Sequence, residues 1–433
     1  MKLELPYTTH RLSNGLRVFI HEDHSLPLAA VNLWYHVGSK DERPGRTGFA
    51  HLFEHIMFEG SLNVPKGEFD ELLETVGGTN NGSTSTDRTN YWETVPSNAV
   101  ELALFLEADR MGWLLETMTQ EKLDAQRDVV KNERRQSYEN RPYGLAFETM
   151  NKILYPPTHP YHWPIIGWME DLDATTLEDV IGFFRTYYTP GNATLAIAGD
   201  VDTDAVMRLV EQQFGAIPAG EPVRPIPAVA PKLPGHVFLT LEDEVHLPRL
   251  YLSWHTPAIF EAGDAELDIA SAVLSHGKSS RLYRRLVYQL GIAQDVDAYQ
   301  DSALLGSTFC IAVTARPGVA IEEIARQTLA VIREFAHEAP SEEVLRAIRR
   351  VETAVVGSLQ CVGGFGGRAD RLNHYAFYAG EPDYVAEDLA RYTRATPQAV
   401  QRAVQMYLLD APFVALTVVP RGESERALRE VPS

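Results

Sequence analysis

The stretch IPAGEPVRPIPAVAPKLPG, residues 217–235, carries prolines at 218, 222, 225, 227, 231 and 234. Each proline removes a backbone donor and fixes φ, so neither helix nor sheet continues across it, and a linker is expected over 218–235. Outward from it, the same order of elements occurs twice. Leu26-Pro27 leads into the alternating AAVNLWYHVG of residues 29–38, and Leu247-Pro248 leads into RLYLSWHTPA of residues 249–258, each with Trp then His towards its end. Near the far end of each half a helix runs into a strand: TTLEDVIGFFRTYY into NATLAIAGDV, and ATPQAVQRAVQMYL into PFVALTVV. Thr175 or Thr176 with Asp179 caps the first of these helices, and Pro397 sits in the first turn of the second. Residues 1–217 and 236–433 therefore read as two homologous α+β domains. Strands gather at the ends of each half with helices between, which predicts a mainly antiparallel sheet with helices packed on one face rather than a βαβ winding.

The chain has 433 residues, 45% hydrophobic and 23% charged, too many for one core and enough for two. Its 39 basic and 59 acidic residues leave a net charge of −20, a field that repels nucleic-acid phosphates and anionic membrane surfaces. Neither is an expected partner. Cys310 and Cys361 have no CxxC spacing, so neither a disulfide framework nor a sulfur metal site is indicated. No window approaches ~18 apolar residues, and the opening MKLELPYTTHRLSNGL has no apolar signal region. The expected location is cytoplasmic, or periplasmic if a leader has been removed. The run GGFGG at 363–367 lacks the preceding strand and the following GK[ST] of a phosphate cradle, and reads as a hinge or a helix break.

Residues 47–61, TGFAHLFEHIMFEGS, carry the chemistry. On a helix, His51 and His55 stand one turn apart on one face with Glu54 beside them, while Phe49, Leu52, Phe53 and Ile56 cover the other. Two neutral imidazoles, with a carboxylate close enough to take a proton from water without being a ligand, form the donor pattern of a catalytic zinc. His51 and His55 are thus metal-ligand candidates, and Glu54 is the candidate general base. A third protein ligand must come from elsewhere. The helix QEKLDAQRDVVKNERRQS offers Glu121, Asp124, Asp128 and Glu133, and spacing alone does not choose among them.

With these residues in place the chain resembles the pitrilysin-type (M16) zinc peptidases, whose inverted motif is HxxEH and which include mitochondrial processing peptidases and insulin-degrading enzymes. The resemblance runs over nearly the whole chain: LSNGLRVFIHED at 12–23, GGTNNGSTSTDRTNYW at 77–92, HPYH at 159–162 and AGDV at 198–201 all stand where the family has counterparts. It implies a Zn2+ cofactor and peptide hydrolysis. It also implies that the third ligand is Glu133, because Arg127-Asp128-Val129-Val130-Lys131-Asn132-Glu133 matches the family's R-x-V-V-x-x-E. The Thr-rich segment Asn81 to Tyr91 matches the edge strand on which the family pairs its substrate, making Asn81, Gly82, Ser83 and Thr84 the candidate peptide-binding residues. Gln126 departs from the pattern, standing where many members carry a second glutamate that supports the site. His159 and His162 read as structural.

The second half departs further. The family's run S-S-R-L-x-x-x-x-R-x-x-x-G-x-x-Y supplies an arginine and a tyrosine to the substrate carbonyl; here Val287 replaces the arginine and Gln294 the tyrosine. Losing one such donor costs ~2.7 to 4 kcal/mol of transition-state stabilisation. The resemblance therefore implies a zinc endopeptidase or oligopeptidase subunit acting on extended peptides as a heterodimer with a homologous chain that lacks HxxEH and brings the Arg/Tyr pair. A register shift that lets Arg284 or Arg285 act with Tyr288 is the competing view. The alternative function is a non-catalytic scaffold like the M16-type core subunits of respiratory complexes, which has no reason to keep the full set His51, Glu54, His55 and Glu133.

Overall fold

A computed structural model describes residues 3–227 and 231–432, so residues 228–230 of the expected linker lie outside the described residues. The first sheet contains β1 (Thr8–Arg11), β2 (Arg17–Glu22), β3 (Leu28–Tyr35), β4 (Thr79–Thr84), β5 (Thr89–Pro96) and β6 (Ala193–Gly199), in the order β1-β2-β6-β3-β5-β4. The second contains β7 (Val237–Asp243), β8 (Arg249–Thr256), β9 (Ala293–Asp301), β10 (Ser307–Ala315) and β11 (Val414–Pro420), in the order β7-β11-β8-β10-β9. β2 pairs parallel with β6, and β7 with β11; the other neighbours pair antiparallel. Set β1 aside and the two orders are the same, so the duplication read from the sequence is one of topology. Both sheets are mixed but mainly antiparallel, and the α+β class holds.

In the first unit the expected face is covered by helices Phe49–Ile56 and Leu177–Tyr187. The apolar stripe of the first helix meets aromatic rings: Phe53 stacks on Phe183 at 5.4 Å and on Tyr188 at 4.9 Å, and Tyr188 packs on Tyr35 of β3 at 4.6 Å. The opposite face is covered as well, which corrects the one-face expectation. Side chains alternate along a strand, so Asn32 and Trp34 point away from Tyr35. They meet the helix Arg368–Tyr378: the Asp370 carboxylate accepts from Trp34 Nε1 at 2.9 Å and Asn90 Nδ2 at 3.1 Å, and the Asn373 amide donates to the Asn32 carbonyl at 2.8 Å.

The second unit repeats the device. Leu250, Leu252 and Trp254 of β8 join its main core. On the other face, Phe147 of the helix Ala146–Leu154 packs edge-on against Tyr251 at 5.8 Å. Each sheet thus takes its second cover from the other half of the sequence. The compact units are residues 1–134, 163–226 and 354–386, and residues 135–162, 227–353 and 387–433, rather than the contiguous 1–217 and 236–433. The physical reason lies in strands such as β3, buried from Ala29 to Tyr35, which leave no face for water. Among the described residues no helix is long and apolar enough to cross a membrane.

Candidate metal centre

His51 and His55 project from one side of the helix Phe49–Ile56, with ring centroids 4.9 Å apart. Glu133 reaches them from the last turn of the helix Gln120–Arg134. Its Oε2 stands 3.3 Å from His55 Nε2 and 3.6 Å from His51 Nε2. One ligand atom from each of the three residues lies within 4.8 Å of the others, and they are the only such trio of His, Cys, Asp or Glu among the described residues. The other acids of the Glu133 helix point elsewhere: Asp124 pairs with Arg127 at 2.6 Å and accepts from Gln120 at 2.8 Å, and Glu121 and Asp128 are exposed.

The donor set suits zinc on its own chemistry. Burial pushes His51 down to about 4, which leaves its imidazole neutral and its lone pair free near neutral pH. The hydrogen bond with His55 holds the Glu133 carboxyl below its usual range, so it is an anion. Two neutral nitrogens and one carboxylate oxygen are the protein ligands a catalytic zinc takes. His51 Nδ1 is buried and meets no hydrogen-bond partner among the described residues, so packing orients that ring.

Glu54 is half-buried beside this trio. Burial pushes its carboxyl up, and the Thr84 hydroxyl, donating to Oε2 at 2.6 Å, works against that shift. Thr84 belongs to β4, the strand at the sheet edge. Gly82, two residues earlier on the same face, faces the ring of Tyr91 and Glu54: a Cβ there would stand 3.2 Å from Glu54 Cγ. The four expected peptide-binding residues therefore split by alternation. Gly82 and Thr84 face Glu54, while Asn81 and Ser83 face the opposite side, where Ser83 Oγ donates to Asn90 Oδ1 at 2.6 Å.

One positioning residue escaped the sequence reading. The helix Phe49–Ile56 begins at Gly48, whose φ of +86° suits glycine and which offers no capping side chain. The cap comes from Glu42: its two oxygens accept from the amides of Gly48 and Ala50, each at 2.8 Å. Burial raises the Glu42 carboxyl and these amide donors oppose the rise. The only trace in the sequence is an acid a few residues ahead of the helix. Gln126 donates to Glu59 at 2.6 Å, which also takes Lys66 at 2.8 Å. His159 accepts from Tyr161 N at 3.0 Å and the His162 ring bonds the Tyr155 carbonyl at 2.7 Å, both inside the second unit and both structural.

Residues 17–159 match the family described as Insulinase (Peptidase family M16), and residues 174–351 the one described as Peptidase M16 inactive domain. The chain is 32% identical over 328 residues to the zinc protease PqqE of Helicobacter pylori, covering 75% of this chain and 73% of that one. It belongs to the M16 peptidase family. A second relative, an uncharacterized zinc protease of Streptomyces coelicolor, is 25% identical over 426 residues, 96% of this chain and 90% of its own. The crystal structure of a protease from Helicobacter pylori superposes with a TM-score of 0.88 at 26% identity, covering 96% of this chain and 100% of that one. The fold is shared also with a structure from Pseudomonas fluorescens described as a peptidase M16 inactive domain, at a TM-score of 0.84 and 20% identity over 96% of this chain and 98% of that one.

Proposed function

We propose that this chain is the metal-bearing subunit of a zinc endopeptidase or oligopeptidase, with His51, His55 and Glu133 as ligands and Glu54 as general base. The observation that carries the reading is the convergence of those three ligand atoms within 4.8 Å next to a half-buried carboxylate that is hydrogen-bonded to the edge strand. Zinc held there supplies a Lewis acid for the scissile carbonyl and for the attacking water. Glu54 accepts the water proton and returns it to the departing amine, and its raised affinity for protons suits both steps. The Thr84 hydroxyl fixes the carboxylate between its two tasks. β4 aligns an extended peptide through main-chain hydrogen bonds, which demand little of its sequence, and Gly82 keeps the space beside Glu54 clear.

A homologous partner chain is part of the proposal. Val287 and Gln294 carry no cationic or phenolic donor; of the two arginines in the register-shifted alternative, Arg285 is engaged with Glu334 at 2.5 Å, while Arg284 is exposed. Tyr288 is 81% exposed. The engagement of Arg285 weighs against its use in the register-shifted substitute and leaves Arg284 with Tyr288 as the competing pair. Hydrolysis of a quenched extended peptide by the zinc-loaded chain, alone and with a co-purified homologous chain, tests the reading. Slow turnover alone, a strong rise with the partner, and loss of both with Glu54→Gln or a chelator are expected. A chain that binds zinc yet cleaves nothing in either setting points to the scaffold instead.

A further inference from the structure

The loop Gly363 to Gly367 joins the helices Ser341–Ser358 and Arg368–Tyr378 and takes no part in the metal centre. We infer that it is an aromatic subsite for the peptide: Phe365 receives apolar side chains that point away from His51, Glu54 and His55. The inference rests on the edge-strand reading above.

The loop is built to present one side chain. A Cβ on Gly363 would lie 2.1 Å from Thr94 Oγ1 and 2.8 Å from the Ala30 Cβ, and one on Gly367 would lie 2.3 Å from the Gly363 carbonyl oxygen. Gly364 and Gly366 have φ of +76° and +74°. Four of the five positions therefore exclude or penalise a side chain, and the backbone lies directly on the sheet. Gly366 N donates to Asp370 Oδ2 at 2.8 Å, the carboxylate whose other oxygen takes Trp34 and Asn90, so the loop is anchored. Phe365 stands edge-on against Trp92, with centroids 5.6 Å apart and planes at 86°, yet is 52% exposed.

A half-exposed phenylalanine alone signifies little; its place on the sheet does. Trp92 is the cross-strand neighbour of Asn81, and Asn90 that of Ser83, so all four share the face on which Phe365 lies. β4 is the outer strand, and on this face it carries only Thr79, Asn81 and Ser83. A peptide strand added outside β4 runs ~4.8 Å further out and alternates its side chains between the faces. One set meets Gly82, Thr84 and Glu54. The other set passes over Asn81 and Ser83 on the face where Phe365 stands against Trp92, and a phenylalanine or a long aliphatic side chain reaches further across that face than an alanine.

The test uses the full zinc-loaded chain with Glu54→Gln to prevent turnover, and fluorescent Ala/Ser peptides in which a single phenylalanine moves one position at a time. Anisotropy should show affinity alternating with period two, and phenylalanine on the loop side should bind ~5- to 10-fold tighter than alanine, the scale of one aromatic contact. Phe365→Ala should erase that half of the pattern and leave the all-Ala/Ser peptide unchanged; Phe365→Leu, which keeps an apolar contact with Trp92, should weaken it. A pattern of period two that persists unaltered in Phe365→Ala overturns the subsite and leaves the edge strand standing. Binding without alternation, or no binding at all, overturns the edge-strand reading and the subsite with it.

Discussion

Replacing Glu42 by glutamine should loosen the helix that carries both histidines. In the parent, Oε1 takes the Ala50 amide and Oε2 the Gly48 amide, both at 2.8 Å. Glutamine keeps one acceptor and turns an NH2 towards the other amide, leaving a buried donor facing a donor. One such unpaired group costs ~1–3 kcal/mol, and Glu42→Ala, which unpairs both, costs about twice that. At about 2 kcal/mol, the transition of a unit of roughly 200 residues falls by ~4–8 °C. His51 is the third residue of this helix, so a frayed first turn also displaces a ligand. Zinc affinity is expected to drop ~10–100-fold, as it does when groups that orient a metal ligand are removed. Calorimetry of the metal-free and zinc-loaded chain, with chelator competition for the affinity, reads both effects. A Glu42→Gln chain that melts like the parent and holds zinc as tightly refutes the reasoning.

Thr84→Val removes the hydroxyl that donates to Glu54 at 2.6 Å, and kcat in the assembly that cleaves peptide should fall about tenfold with KM little changed; an unchanged kcat contradicts a role for that bond. Burial holds His36 and His374 down to about 3, so on acidification below about 6.5 the unfolded chain takes protons the folded chain refuses, and stability is lost as the pH falls. His374→Phe removes its share of that loss, and the melting difference between variant and parent should move in the variant's favour from about pH 7 to about pH 5; a constant difference contradicts the assignment. Gly363→Ala would set a Cβ 2.1 Å from Thr94 Oγ1 and should cost ~1–3 kcal/mol, read as a lowered urea midpoint. A midpoint equal to the parent's would mean the loop does not lie on the sheet.

Much of this was legible because the relevant signals are local. The duplicated strand entries at Leu26-Pro27 and Leu247-Pro248 announced two like sheets, and the order of strands repeats accordingly. His51, Glu54 and His55 could be read from helical spacing alone, since three residues on one short helix need no tertiary information. Glu133 could not: four acids share its helix, and only the resemblance to M16 peptidases chose between them before the fold brought it to the two imidazoles. The segment Asn81 to Tyr91, expected as one edge strand, divides into β4 and the start of β5 with a turn between them, and only its part up to Thr84 lies at the sheet edge; the polar Ser-Thr-Asp-Arg run that makes the turn resembles the half-exposed strand around it. What stayed hidden depends on segments distant in sequence. Nothing in Asn32 or Trp34 says that Asp370 will satisfy them, and the exchange of covering helices between the halves followed from that kind of pairing. Glu42 was invisible for a related reason, because a capping acid in a loop looks like any other solvated acid.

The most direct test of the central claim is metal analysis of the purified, zinc-reconstituted chain beside His51→Ala and Glu133→Ala, with circular dichroism to show that each variant is folded. About one zinc per chain in the parent and almost none in either variant is the predicted result. Zinc retained in full by folded Glu133→Ala, or a parent that holds none, contradicts it.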